Sequence, residues 1–207
     1  TLDTDSTQCK VVLSLLKLFS IIVSQPANPA TISCIPDVMK MTLGSLLPAM
    51  EKQQSAASDV KEKLFSVLYD ILVYHWDRFF PVLQQNTDAS SSNDRVTPAL
   101  LAQAQQNRAK KQQAQPNAQM KAILGAFHRS FQSNDIETYR HNLQLMLLLD
   151  TKKRLFSRNF FATDLAIAFL RTFFNVLLAR SHDLLKENIV LLTYKMMSAM
   201  GFQIFVE

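Results

Sequence analysis

The chain has 207 residues, 48% of them hydrophobic, with 22 basic and 17 acidic side chains and a formal net charge of +5. That is enough chain to bury a full core as one or two domains, but its three glycines, Gly44, Gly125 and Gly201, are too few for a turn-rich sheet protein or a phosphate-cradling loop. Its apolar runs are broken too often to cross a bilayer: Thr163-Asp164 and Arg171 interrupt the longest, and a charge at a membrane centre costs about 2.5–3.5 kcal/mol.

Taken in chain order, Asp5-Ser6-Thr7-Gln8 has the form of a capping box, with a side-chain oxygen at the N-cap and a Gln three residues on. Val11, Val12, Leu15, Leu16, Phe19, Ile22 and Val23 follow at helical spacing, and Pro26 and Pro29 are expected to end that helix. Pro36 suits the first turn of a second helix, where its missing N–H would be unbonded anyway, and Pro48 is expected to kink or end it. Asp59 with Glu62 opens a third helix, buried through Val60, Leu64, Phe65, Val67, Leu68, Ile71 and Leu72. Trp76, Phe79 and Phe80 then form an aromatic corner, read as core rather than as a ligand cage.

Residues 85–117 change character. Gln85 to Asp94 is polar and low in complexity, Thr97-Pro98 resembles a helix start, and the Ala/Gln-rich stretch beyond has almost no apolar face. The segment reads as a flexible polar and basic insertion that loops out, and Arg108-Ala109-Lys110-Lys111 is a faint basic motif read as solvated surface. The next helix carries Met120, Ile123, Leu124, Phe127 and Phe131. Asn134 is the expected N-cap of the one after, with Glu137 reaching back, over a stripe of Ile136, Tyr139, Leu143, Met146 and Leu147. Thr151-Lys152-Lys153 should lead into a long helix running from Phe156 to Arg180 through Phe160, Leu165, Phe169, Phe173, Phe174, Leu177 and Leu178. Ser181 is expected to cap the last helix, with Asp183 in its first turn and Leu184, Leu185, Ile189, Leu192 and Met196 on its buried side.

The expected fold is all-α: antiparallel helical hairpins of HEAT-like form, stacked as one α-solenoid segment over 1–207, with first helices in 1–84, the insertion in 85–117 and later repeats in 118–207. Each hairpin can cover only one face of its neighbour, so the hairpins must stack. Ten of the fourteen phenylalanines lie beyond residue 126, so packing should be densest there. Residues 1–94 carry 7 basic and 10 acidic side chains and residues 95–207 carry 15 and 7. The second half can therefore steer acidic partners. The basic turn Lys152-Lys153-Arg154, extended by Arg158, is the candidate partner-binding patch; these side chains are expected to project together, with Asp150 the only acid nearby in sequence.

No residues are arranged for chemistry. His75, His128, His141 and His182 lack metal-ligand spacing, no nucleophile elbow is present, and no segment alternates aromatic and basic residues as an RNA-binding sheet does. The reading is a non-enzyme without cofactor or metal, with no nucleic-acid or membrane partner. Cys9 and Cys34 read as buried, reduced thiols. The non-methionine start and the apolar stretch at Gly201 to Glu207 are read as those of a piece from a longer protein.

The wording of the second half carries a resemblance. Phe131-Gln132-Ser133-Asn134-Asp135-Ile136, Arg140-His141-Asn142-Leu143, Lys153-Arg154-Leu155-Phe156 and above all Arg180-Ser181-His182-Asp183-Leu184-Leu185-Lys186-Glu187 resemble the late HEAT repeats of an importin-β-type nuclear export receptor (karyopherin), in the branch that exports actin–profilin. The likeness is clearest from about Phe127 to Ile189; His75 to Phe80 also matches, and 85–117 does not. The resemblance implies a receptor shuttling between nucleus and cytoplasm, dependent on Ran-GTP, with actin–profilin as cargo and nucleoporins as partners. The alternative reading of the same helices is a non-catalytic scaffold or adaptor unrelated to transport.

Overall fold

The structure is a computed structural model that describes residues 2–52, 58–80 and 117–201. Among the described residues every regular element is a helix: α1 (Leu2–Val23), α2 (Pro29–Met41), a π turn (Thr42–Leu46), α3 (Leu47–Lys52), α4 (Ser58–Tyr74), a 3-10 turn (Trp76–Phe79), α5 (Ala118–Ser130), α6 (Ile136–Lys153), α7 (Asn159–Asp164), α8 (Ala166–Ala179), a second 3-10 turn (Asp183–Leu185) and α9 (Lys186–Met200). The all-α hairpin stack is as the apolar periodicity requires.

The helices form two layers. In one, α1 packs on α4, α4 on α6 and α6 on α9. In the other, α3 and α5 are tied by the Arg129–Glu51 ion pair, and α5 meets α8 through ring contacts of His128 with Phe169 and of Phe131 with Phe169 and Phe173. Between the layers lies one core. Leu16, Leu64, Phe127, Tyr139, Phe156, Phe161, Phe169 and Phe173 are all at zero exposure within it. Burying one such aromatic side chain stabilises by about 1.5–3 kcal/mol.

Several helix starts and stops differ from those read off the sequence. α1 is already running at Leu2, so residues 5–8 lie within the helix and not at its start. Helix α2 begins at Pro29, with the Asn28 side chain accepting from the Ala30 N–H; Pro29 therefore takes the N1 position and Pro36 lies in the interior. Pro48 neither ends nor breaks the chain's helical course, because the π turn before it widens the helix and α3 continues through the proline. α6 is capped by Asp135, not Asn134, and Glu137 pairs with Arg140 at 2.8 Å instead of reaching back. Thr151-Lys152-Lys153 is the last turn of α6.

The expected long helix is two helices, broken at Leu165 (φ −123°, ψ −36°). Phe174 and Leu178 are 43% and 83% exposed, and so is Leu184 at 83%, which removes all three from the core. Ser181 does not cap the last helix. Its N–H closes the preceding one by donating to the Val176 carbonyl, while Arg180 donates to Leu177, the paired bonds of a Schellman motif. A 3-10 turn at Asp183 then leads into α9. Cys34 is exposed and Cys9 half-buried, both as free thiols, so neither is the fully buried residue expected.

The insertion expected at 85–117 lies outside the described residues except for Asn117. That residue caps α5 by accepting from the Met120 N–H, and its own N–H donates to the Phe79 carbonyl at 2.9 Å. Phe79 and Asn117, on either side of residues 81–116, therefore lie side by side.

Candidate partner-binding surface

The α6–α7 turn holds the four candidate cations. Arg154 follows the last turn of α6 in the left-handed region (φ 51°, ψ 49°), and its N–H donates to the Asp150 carbonyl, which closes the helix in the way a glycine usually does. The Asp150 carboxylate accepts from the Phe156 N–H at 2.9 Å, so it is engaged in shaping the turn. The resulting reversal folds Leu155 and Phe156 into the core and brings Arg158 back against the end of α6. There Arg158 Nε and Nη2 donate to the Lys153 carbonyl at 3.3 and 3.1 Å.

These cations do not project as one group. Lys153 Nζ and the Arg158 guanidinium lie 5.9 and 5.8 Å from the centroid of the Trp76 indole, while Lys152 Nζ lies 5.8 Å from the ring of Tyr69 on α4. Cations at that distance from an aromatic face are attracted by its quadrupole, by about 0.5–1 kcal/mol when exposed and more when desolvated. Burial pushes the Lys153 amine below its ordinary range, and Asp77 opposes that shift. Burial also lowers Arg158, assisted by repulsion from Arg154 and countered by Asp77. Lys153 and Arg158 are half-buried, and Lys152 and Arg154 are exposed. The turn thus presents two solvent-facing charges over two that clasp Trp76.

Sequence reasoning located the turn but missed its other half, Tyr69, Trp76 and Asp77. The aromatic corner was visible in the sequence; its pairing with a turn some 80 residues away was not. Asp135 was missed as well. Its carboxylate accepts from the Ser58 hydroxyl, the Lys61 ammonium, the Thr138 hydroxyl and the Thr138 N–H. Burial works to raise its pKa, but these hydrogen bonds together hold it below the usual carboxylate range. One residue therefore both starts α6 and fastens it to α4.

The four histidines serve the same kind of seam. Nε2 of His75 bonds the Val23 carbonyl at 3.0 Å, that of His141 the Ser66 hydroxyl at 2.9 Å, that of His128 the Thr172 hydroxyl at 2.9 Å and that of His182 the Ser133 carbonyl at 3.3 Å. Each joins one helix or turn to another. Among the described residues no three His, Cys, Asp or Glu side chains converge as metal ligands, and no helix is long and apolar enough to span a membrane.

A cleft of about 930 Å³ lies between α3, α4 and the α5–α6 turn. Leu47, Met50, Leu64 and Phe65 line it, and its charges are already paired as Lys61–Asp135 at 3.2 Å and Arg129–Glu51 at 2.9 Å. It offers shape and apolar surface, with Ser58 also held on the Asp135 carboxylate.

Comparison with known proteins agrees with the architecture. The family model described as Exportin-6, C-terminal TPR repeats, matches residues 72–207; its repeats carry the TPR name where HEAT-like ones were expected, and both are stacked helical hairpins. The chain is 30% identical over 193 residues to Exportin-6 of Mus musculus and to that of Homo sapiens, covering 93% of this chain and 15% of each relative. It is 21% identical over 195 residues to Exportin-6 of Dictyostelium discoideum. No solved structure matches. The chain thus spans about 15% of the length of its curated relatives, and it belongs to the exportin-6 family, in the C-terminal repeat region.

Proposed function

We propose that the chain is part of a nuclear export receptor that carries actin–profilin out of the nucleus in a Ran-GTP-dependent way, shuttling between nucleus and cytoplasm and meeting nucleoporins on the way. The observation that carries this reading is the family match over residues 72–207, placed on a stack of hairpins whose buried polar groups act as seams between helices. A solenoid of this kind works as an extended binding surface.

Within that surface, Lys152 and Arg154 are the charges offered to an acidic partner, supported from beneath by Lys153 and Arg158 on Trp76. Complementary charge of this sort raises association rates more than it raises affinity.

The test uses the full-length receptor. Actin–profilin should bind more tightly with Ran-GTP present than without it, and Ran-GTP more tightly with cargo present, because coupling between two ligands is reciprocal. Equal affinities in both arms would refute the export reading and favour a scaffold. In the same assay, Lys152→Glu with Arg154→Glu should slow cargo or Ran-GTP association and weaken its salt dependence. An unchanged rate at low salt would make the turn ordinary surface.

A further inference from the structure

A basic residue followed by Leu-Phe-Ser occurs three times in this chain: Lys17-Leu18-Phe19-Ser20, Lys63-Leu64-Phe65-Ser66 and Arg154-Leu155-Phe156-Ser157. The fold treats the three serines differently. Ser20 lies inside α1 and Ser66 inside α4, both half-buried, and the Ser66 hydroxyl donates to the Glu62 carbonyl one turn back. The third copy falls between helices. α6 closes at Arg154, which holds the left-handed region, and α7 does not start until Asn159. Leu155 and Phe156 fold into the core, which leaves Arg154 and Ser157 as exposed residues of the turn. Only this copy is directly preceded by two more cations, Lys152 and Lys153.

We propose that Ser157 is a phosphorylation site for a protein kinase that selects basic residues upstream of its acceptor, and that its phosphate switches off the basic turn. Such a kinase uses carboxylates of its own to hold a cation three residues before the hydroxyl, through charge-assisted hydrogen bonds. Arg154 supplies that cation, with Lys153 and Lys152 behind it. The acceptor has to lie on accessible, non-helical backbone, a condition that Ser157 meets and that Ser20 and Ser66 do not. In the transfer, Ser157 Oγ bonds to the γ-phosphorus of ATP as the β–γ phosphoanhydride bond breaks; ADP leaves, and the hydroxyl proton passes to the kinase's base. A phosphoserine carries about −1.5 to −2 charges, so among Lys152, Lys153, Arg154 and Arg158 it cancels roughly half of the local positive charge. The Asp150 carboxylate does not do this already, since it is held on the Phe156 N–H. Steering of an acidic partner weakens accordingly. The switch rests on the partner role proposed for the turn; the assignment of Ser157 as acceptor does not.

The test treats the full-length receptor with ATP and a purified calmodulin-dependent protein kinase, which selects arginine three residues before its acceptor, and locates the phosphate by peptide mass spectrometry. Ser157 should take phosphate in the folded receptor, and at least about tenfold more slowly in Arg154→Gly, a change that removes the cation and keeps the left-handed turn. The phosphorylated receptor should then associate with actin–profilin or Ran-GTP about as slowly as Lys152→Glu with Arg154→Glu does. Ser157→Ala, treated in the same way, should keep its rate. No phosphate at Ser157 in the folded receptor, with an isolated peptide of residues 150–160 readily modified, would overturn the assignment. Phosphate at Ser157 without slowing, where the charge reversal does slow association, would overturn the switch. Rates unchanged by both the phosphate and the charge reversal would also overturn the switch, and would trace its failure to the partner reading and not to Ser157.

Discussion

Phe173 and Phe174 are neighbours in sequence with opposite surroundings. Phe173 is fully buried, with its ring 5.1 Å from Phe131 and 6.2 Å from Phe169. Phe174 is 43% exposed on the outer flank of α8. In the 207-residue chain, Phe173→Ala should therefore cost about 3–5 kcal/mol through lost burial and the cavity left behind. Phe174→Ala should cost under about 1 kcal/mol, as surface changes do. Urea melts of both variants check this, and equal losses would mean that the helix sits in a different rotation. Helical spacing alone placed both rings in one stripe. It could not say how wide the covered sector is, because that depends on what packs against the helix. The same limit applies at the basic turn: the charges were legible at Lys152, Lys153, Arg154 and Arg158, but their division between solvent and the Trp76 ring was set by contacts distant in sequence.

Helix boundaries were read less well than helices, and for identifiable reasons. Two helices end on arginines in the left-handed region, Arg154 and Arg180, where glycine is the usual signal. Without that glycine, α6 was ended too early; α7 and α8 were merged because they part at Leu165 (φ −123°, ψ −36°), an apolar residue that continues the stripe and gives no stop signal. At Asn134-Asp135 both residues are good caps; Asp135 holds the position because its carboxylate also meets Lys61 and Ser58 from α4, a choice made by another element. The connection between the first and later helices also has a definite geometry. Asn117 N–H bonds the Phe79 carbonyl at 2.9 Å, so the two ends of the intervening segment meet. Replacing residues 86–116 with a short Gly-Ser linker should leave a single cooperative melt, since loop length costs only about 0.6 kcal/mol per doubling. A broadened or split transition would show that residues in 86–116 contribute to the core.

Across the whole molecule, histidine-mediated seams make stability sensitive to acid. His75 joins α4 to the end of α1, and His141 joins α6 to α4. Burial lowers the pKa of both from the ordinary 6.5, against the opposing pull of the Val23 carbonyl on His75 and of Glu62 on His141. The folded state therefore binds fewer protons than the unfolded chain between 6.5 and the lowered values, and stability must rise with pH there. It is fully present above 6.5 and lost as pH falls through the folded values. The melting temperature should drop between about pH 7 and pH 5, with part of that slope removed in His141→Gln. A flat profile would show that these imidazoles do not change charge environment on folding. The sequence by itself determined that the chain is a stack of helices, where the described helices run to within a few residues, and which family its wording resembles; periodicity and residue type are local and survive in one dimension. Only the tertiary structure decided which flank of each helix is covered, which cap is used, and that two of the four basic side chains clasp Trp76. Those outcomes depend on partners tens of residues away, where burial and charge pairing are set by the stack and not by the helix that carries the residue.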